Sequence, residues 1–211
     1  MQQTTTARRQ SVLTFDRDGF ESACAALMQR VAADRRPDVL IGIRSAGLFV
    51  AEAMAKAAGG AIPILAITCR RPSSAHKAKL AAARTVIGRL PRPLLDQLRL
   101  IEHKMLTRRP PAAANAPASL DEEELAALEA WVARTGDAPF PLIVDDAVDS
   151  GVTLSLVLDA VRQRLPPRAL LRSAAITVTT PRPLATPDYA LYRRQLCRFP
   201  WSLDAPAKSP S

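Results

Sequence analysis

Two stretches of this chain carry the same order of segments, and that order limits the fold more than any single residue does. Asp38-Val-Leu-Ile-Gly-Ile43 is a continuous apolar run, Arg44-Ser-Ala-Gly47 is a tight loop, Leu48–Ala58 is a helical stretch closed by Gly59-Gly60, and Ile62–Thr68 is apolar again. The order returns at Pro141–Val144, Val152–Gln163 and Leu170–Val178. Apolar runs of about four to eight residues, bounded by turn residues, fit strands buried on both faces. Strand, helix, strand in succession predicts parallel pairing, with the helix crossing over one face of the sheet. The expected class is α/β.

The flanks are simpler. Val12-Leu13-Thr14-Phe15 is a short strand candidate. Asp16–Ala33 carries Phe20, Cys24, Leu27, Met28 and Val31 three or four apart, the spacing of an amphipathic helix. Residues 1–10 read as a polar, disordered arm and 206–211 as a tail. The core is expected in 11–69 and 140–180.

Between the two halves lies a long interruption, 70–139, which reads as a helical insertion. Helical spacing runs over 74–86 and 93–106, Pro110–Pro117 is a Pro/Ala linker, and Ser119-Leu-Asp-Glu122 is a capping box for an acidic helix, 120–134. That helix is expected to bury Leu125, Leu128, Trp131 and Val132. Arg70–Arg109 holds eleven Lys and Arg against Asp96 and Glu102, which matches the net charge of the whole chain, +9. The basicity is therefore local. It suits a polyanion such as pyrophosphate, and equally nucleic acid.

The chain has 211 residues, enough for one α/β domain with an insertion. Cys24, Cys69 and Cys197 are far apart with no CxxC pair, which argues against a zinc site or a disulfide framework and for a reducing cytoplasm. The N-terminus has no apolar core, so no signal peptide is expected. No apolar run approaches the length of a membrane span, so no membrane partner is expected either.

The chemistry concentrates in Pro141-Leu-Ile-Val-Asp-Asp-Ala-Val-Asp-Ser-Gly-Val-Thr153. A buried strand ends in two adjacent carboxylates, and ligands of open α/β sheets bind at the carboxyl ends of the strands. A small loop containing Gly151 then enters a helix. Backbone N–H groups at that helix start, with the Ser150 and Thr153 hydroxyls, make a phosphate cradle. An Asp pair suits ribose hydroxyls and a hard cation that keeps several waters. Together these describe a site for a phosphorylated ribose.

The segment closely resembles the 13-residue signature of the type I phosphoribosyltransferases, nearest in pattern to the purine enzymes that act on xanthine, guanine or hypoxanthine. The resemblance implies a doubly wound parallel sheet, a flexible loop over the site and a small C-terminal hood, here 181–205. It implies that Asp145 and Asp146 bind the ribose hydroxyls and organise Mg²⁺, while Asp149, Ser150, Gly151, Val152 and Thr153 form the 5′-phosphate loop. In the purine branch an Asp at position 149 accepts a proton near the base. Asp149 is also suited to N-cap the helix 152–163.

Gly42-Ile-Arg-Ser-Ala-Gly47 is similar to the family's pyrophosphate loop, which assigns Arg44, Ser45, Ala46 and Gly47 to the leaving group. The family usually has two glycines there, and this chain has Ala46-Gly47; Ala lacks the freedom of Gly at positive φ. Arg44 suits pyrophosphate, and a surface ion pair is its other use. Arg70 and Arg71 stand where the family's flexible loop begins and are candidates to clamp pyrophosphate.

The C-terminal stretch Pro187-Asp-Tyr-Ala-Leu-Tyr192 and Arg198-Phe-Pro-Trp-Ser202 resembles the hood of 6-oxopurine enzymes, with two departures. Their base-reading Lys falls at Thr180 and their stacking aromatic at Leu196. The acceptor pocket is therefore assigned to Val148, Thr180, Arg182 and Leu196, with Tyr189 and Tyr192 as alternatives; Phe199 and Trp201 read as packing residues. Two functions stay open. One is a phosphoribosyltransferase that uses 5-phosphoribosyl-1-pyrophosphate and Mg²⁺ to modify a purine-like or unusual base. The other is a regulator or complex subunit of the same fold that binds nucleotide, or nucleic acid through 70–109. A homodimer is expected by analogy.

Overall fold

The computed structural model describes residues 12–70 and 119–202. The arm 1–10, the spacings at 74–86 and 93–106, the linker 110–117 and the tail 206–211 lie outside the described residues. In chain order the elements are β1 (Val12–Thr14), α1 (Arg17–Ala32), β2 (Val39–Ile43), α2 (Ala46–Ala57), β3 (Ile64–Ile67) and β4 (Cys69–Arg70). Then come β5 (Ser119–Leu120), α3 (Glu122–Val132), β6 (Pro141–Val148), α4 (Val152–Arg162), β7 (Arg172–Val178), β8 (Tyr189–Arg193) and β9 (Leu196–Arg198).

Five strands form one parallel sheet in the order β3-β2-β6-β7-β8. The chain steps outward from β2 to β3, then outward the other way from β6 through β7 to β8. The direction reverses between β2 and β6, so the loops leaving these neighbours diverge and open a crevice at their carboxyl ends. Two short pairs flank the sheet: β1 with β9, parallel, and β4 with β5, antiparallel.

Strand β2 and the first half of β6 lack polar positions because both faces are covered. Leu40, Leu142, Val144, Ala174 and Ile176 pack with α1 and α2. Val39, Ile41, Ile43, Ile143 and Ala175 pack with Leu125, Leu128 and Trp131 of α3 and with Leu154, Val157 and Val161 of α4. Alternation along each strand sends neighbours to opposite layers. Phe15, Phe20, Phe199 and Trp201 form a packed aromatic group, with Phe199 and Trp201 stacked at 5.1 Å. Among the described residues no helix is long and apolar enough to cross a membrane.

Three boundaries differ from expectation. Helix α2 begins at Ala46, before Leu48, because its first turn lies directly on Gly42: a methyl there would stand 2.6 Å from the Leu48 Cα. Strand β6 does not stop at Val144 but runs through the acidic pair to Val148, since its ladder with β7 continues to Val148 opposite Val178. Helix α3 is capped by Asp121, whose carboxylate accepts from the N–H groups of Glu123 (3.2 Å) and Glu124 (3.4 Å). Ser119 is unavailable for the cap because it pairs with Arg70 in the β4–β5 ladder. Val132 is half-buried at the edge of its layer.

Candidate functional site

The loop after β2 supplies one wall of the crevice. The N–H of Arg44 donates to the Ile67 carbonyl at 2.9 Å, which ties the loop to the end of β3. The Arg44–Ser45 peptide is cis. Ser45 holds the N-cap position of α2 without a side-chain capping bond, so no side chain closes this helix start. Ala46 needs no glycine freedom: Arg194 is the one non-glycine residue with positive φ among those described. Gly47 is required by contact instead. A methyl there would lie 2.4 Å from the Val144 carbonyl oxygen and 3.2 Å from Asp145 Oδ1. The missing side chain is what lets the start of α2 press against the acidic end of β6.

Asp145 and Asp146 form the floor. The Asp146 N–H donates to Asp145 Oδ1 at 2.9 Å. Burial, and after it the Asp146 charge, pushes the Asp145 carboxyl well above the usual carboxylate range. Asp146 is also raised, chiefly by burial, with the Asp149 charge adding to it. No lysine or arginine among the described residues offsets either group. Two hard oxygen donors short of positive charge fit Mg²⁺, which takes few protein ligands and fills its shell with water and ligand oxygens. Among the described residues no three His, Cys, Asp or Glu side chains converge on one point.

The loop 149–153 supplies the second wall. Gly151 occupies the N-cap of α4 in the left-handed region (φ 75°), and no side chain caps this helix. The expectation that Asp149 caps it is corrected. Asp149 turns the other way, its Oδ1 accepting from the Thr179 hydroxyl, while its carbonyl accepts from the Thr180 hydroxyl at 2.7 Å. The N–H of Leu184 donates to the Ser150 carbonyl at 2.7 Å, and a methyl on Gly151 would lie 2.6 Å from both the N and the O of Ala185. A cavity of about 110 Å³ is lined by Asp145, Val148, Asp149, Ser150, Gly151 and Thr153. The positive end of the α4 dipole opens onto it.

Other expected residues lie farther from this cavity. Arg44 Nε donates to Glu124 Oε1 at 3.0 Å, the surface ion pair that was its other use. Arg70 pairs with Asp121 at 3.4 Å and is mostly exposed; Arg71 lies outside the described residues. Arg182 is exposed and makes no ion pair among the described residues. Leu196 is buried in β9 opposite Val12. The Tyr189 hydroxyl donates to Asp34 at 2.7 Å, and the Tyr192 ring packs against Phe15. A larger cavity of about 400 Å³, lined by Asp38, Trp131 and Thr135–Pro139, lies at the opposite end of the sheet. Sequence reasoning missed Glu124, Thr68 and Thr179. Glu124 looks like one more solvated acid in a first turn, and a threonine after an apolar run carries no periodic signal.

No protein-family model matches this chain, and no curated protein sequence matches it. Solved structures do. A purine phosphoribosyltransferase from Pyrococcus horikoshii matches with a TM-score of 0.56 at 18% identity, over 95% of this chain and 99% of that one. A Helicobacter pylori xanthine-guanine-hypoxanthine phosphoribosyltransferase matches with a TM-score of 0.56 at 14% identity, over 91% and 94%. A hypothetical protein from Neisseria gonorrhoeae with bound ppGpp matches with a TM-score of 0.55 at 13% identity, over 92% and 90%. The chain has the doubly wound parallel-sheet fold of the type I phosphoribosyltransferases.

Proposed function

We propose that the chain is a phosphoribosyltransferase, a pentosyl-transferring enzyme that binds 5-phosphoribosyl-1-pyrophosphate in the crevice between β2 and β6. It passes the phosphoribosyl group to a purine-like or unusual nitrogen base and releases pyrophosphate. The observation that carries this is the convergence of three elements on one crevice: the loop 44–47, the carboxylates of Asp145 and Asp146, and the loop 149–153. Fold neighbours that bear phosphoribosyltransferase names support it.

Each residue then has a task. The backbone N–H groups at the start of α4, with Ser150 and Thr153, hold the 5′-phosphate. Asp145 and Asp146 accept hydrogen bonds from the ribose hydroxyls and would hold Mg²⁺. When bound, that ion neutralises charge gathering on pyrophosphate as the bond to C1 breaks. The uncapped start of α2, with Arg44 and the candidate clamp of Arg70 and Arg71, meets the leaving group. Asp149 receives the proton that the attacking base nitrogen gives up.

A second function rests on a different observation. Arg44 and Arg70, the described cations on the pyrophosphate side, are both held by acids at the start of α3. That arrangement suits a regulator that binds a nucleotide without turning it over, and one fold neighbour is a hypothetical protein with bound ppGpp; the basic segment 70–109 would then serve nucleic acid. A pyrophosphate-release assay with Mg²⁺, the donor and a panel of bases separates the two, with Asp145→Asn and Asp146→Asn as controls. Turnover lost in both variants supports the enzyme. No turnover with any base, together with salt-sensitive nucleic-acid binding that disappears when Arg70–Arg109 is neutralised, supports the regulator.

A further inference from the structure

On the function proposed above, the loop 149–153 receives the 5′-phosphate, and a short strap runs along that loop. The strap is Thr180-Pro-Arg-Pro-Leu184, tied at both ends. The Thr180 hydroxyl donates to the Asp149 carbonyl at 2.7 Å, and the Leu184 N–H donates to the Ser150 carbonyl at 2.7 Å. Ala185 then closes on Gly151, where a methyl would meet its backbone at 2.6 Å. Arg182 is the middle residue, with Pro181 and Pro183 on either side. Each proline ring fixes its own φ and keeps the residue before it extended, so Arg182 has little backbone freedom left to lose.

Arg182 is exposed, and its guanidinium has no ion pair or hydrogen bond among the described residues. The arginines of the opposite wall, Arg44 and Arg70, are both held by acids. The loop the strap lies on is short of positive charge. Asp145 and Asp149 line its cavity, and the start of α4 supplies only about half a unit charge. A phosphate monoester brings about two negative charges near neutral pH. We propose that Arg182 is a ligand of the 5′-phosphate, presented to the loop 149–153 by the stiff strap 180–184. A guanidinium suits this task because its fork of N–H donors bonds two phosphate oxygens at once. Arg182 then serves the phosphate and not the acceptor pocket to which its sequence pattern assigned it.

Calorimetry of ribose 5-phosphate and of pyrophosphate tests this, for the wild type, Arg182→Gln, Arg182→Lys and Arg193→Gln. Ribose 5-phosphate carries no base, so a change in its binding cannot come from an acceptor pocket. Arg193 is also exposed and without an ion pair among the described residues, but it stands one strand further out, opposite Val178. It is the control for general charge. Arg182→Gln should weaken ribose 5-phosphate about tenfold to a hundredfold and leave pyrophosphate unchanged. Arg182→Lys should recover part of the loss, since it keeps the charge and loses the fork. Arg193→Gln should change neither ligand.

Equal binding of ribose 5-phosphate by the wild type and Arg182→Gln overturns the proposal and leaves the transferase standing. Equal weakening of both ligands in Arg182→Gln also overturns it, as does the same weakening in Arg193→Gln. Selective loss of ribose 5-phosphate in Arg182→Gln, beside a wild type that releases no pyrophosphate with any base, sinks the transferase and keeps the proposal. Binding of neither ligand by the wild type sinks the crevice assignment, and the proposal with it.

Discussion

Arg44 Nε donates to Glu124 Oε1 at 3.0 Å, joining the loop after β2 to the first turn of α3, 80 residues further along the chain. The same carboxylate accepts from the Thr68 N–H and from the Thr68 hydroxyl at 3.1 Å. One half-covered acid thus closes the end of β3 and holds the arginine of the candidate pyrophosphate loop.

Glu124→Ala leaves the Thr68 N–H and hydroxyl without their acceptor. A loss of about 1–3 kcal/mol is expected, measured by urea unfolding. Glu124→Gln keeps an accepting oxygen and removes the charge that competes for Arg44. Its affinity for pyrophosphate, measured by calorimetry, should exceed that of the wild type. Unchanged affinity would show that Arg44 does not reach the ligand.

Asp145 makes stability depend on pH in a defined direction. Burial, then the Asp146 charge, raises its carboxyl in the folded chain, so the folded state binds more protons than the unfolded one. The stabilisation is fully present below the unfolded value of about 3.9 and is lost as pH rises through the higher folded value. Without Mg²⁺, Asp145→Asn should therefore be more stable than the wild type at neutral pH and show a flatter profile. Urea titrations from acid to neutral pH check this. A wild type that gains stability over that window contradicts it.

Gly151 and Gly59 separate two demands on glycine. Both have positive φ, but nothing lies within 4 Å of a methyl built on Gly59, whereas one on Gly151 meets the Ala185 backbone at 2.6 Å. Gly59→Ala should cost about 1 kcal/mol. Gly151→Ala should cost clearly more, about 2 kcal/mol or above, and should abolish ribose 5-phosphate binding. Equal thermal shifts in the two variants would mean that residues 184–185 yield freely.

The Tyr189 hydroxyl is pushed up to about 12 by burial and by its bond to Asp34. Its stabilisation is intact below the ordinary tyrosine value of about 10 and is lost as pH rises through 12. A tyrosinate absorbance titration of the wild type should therefore lose one late-titrating group in Tyr189→Phe.

The donor side of the crevice was legible because local grammar and chemistry coincide there. Apolar runs without polar positions marked β2 and the first half of β6, since a strand covered on both faces has no solvated side to record. Gly47 and Gly151 stand where the chain passes close to other backbone, and Asp145, Asp146 and Asp149 carry their charge at the end of such a run. Where one residue has two chemically sound uses, local pattern did not choose. Ser119 and Asp121 both suit an N-cap, and only pairing with Arg70 removed Ser119.

The chain's own pattern determined the parallel α/β sheet and the acidic and glycine-bearing loops at its carboxyl end, because both follow from residues adjacent in sequence. The tertiary structure alone decided that Glu124 holds Arg44 and that Thr179 and Thr180 hold Asp149. Those partners lie 80, 30 and 31 residues apart. A hydrogen bond across such a span depends on which strand ends the sheet order brings side by side, and no local periodicity encodes that.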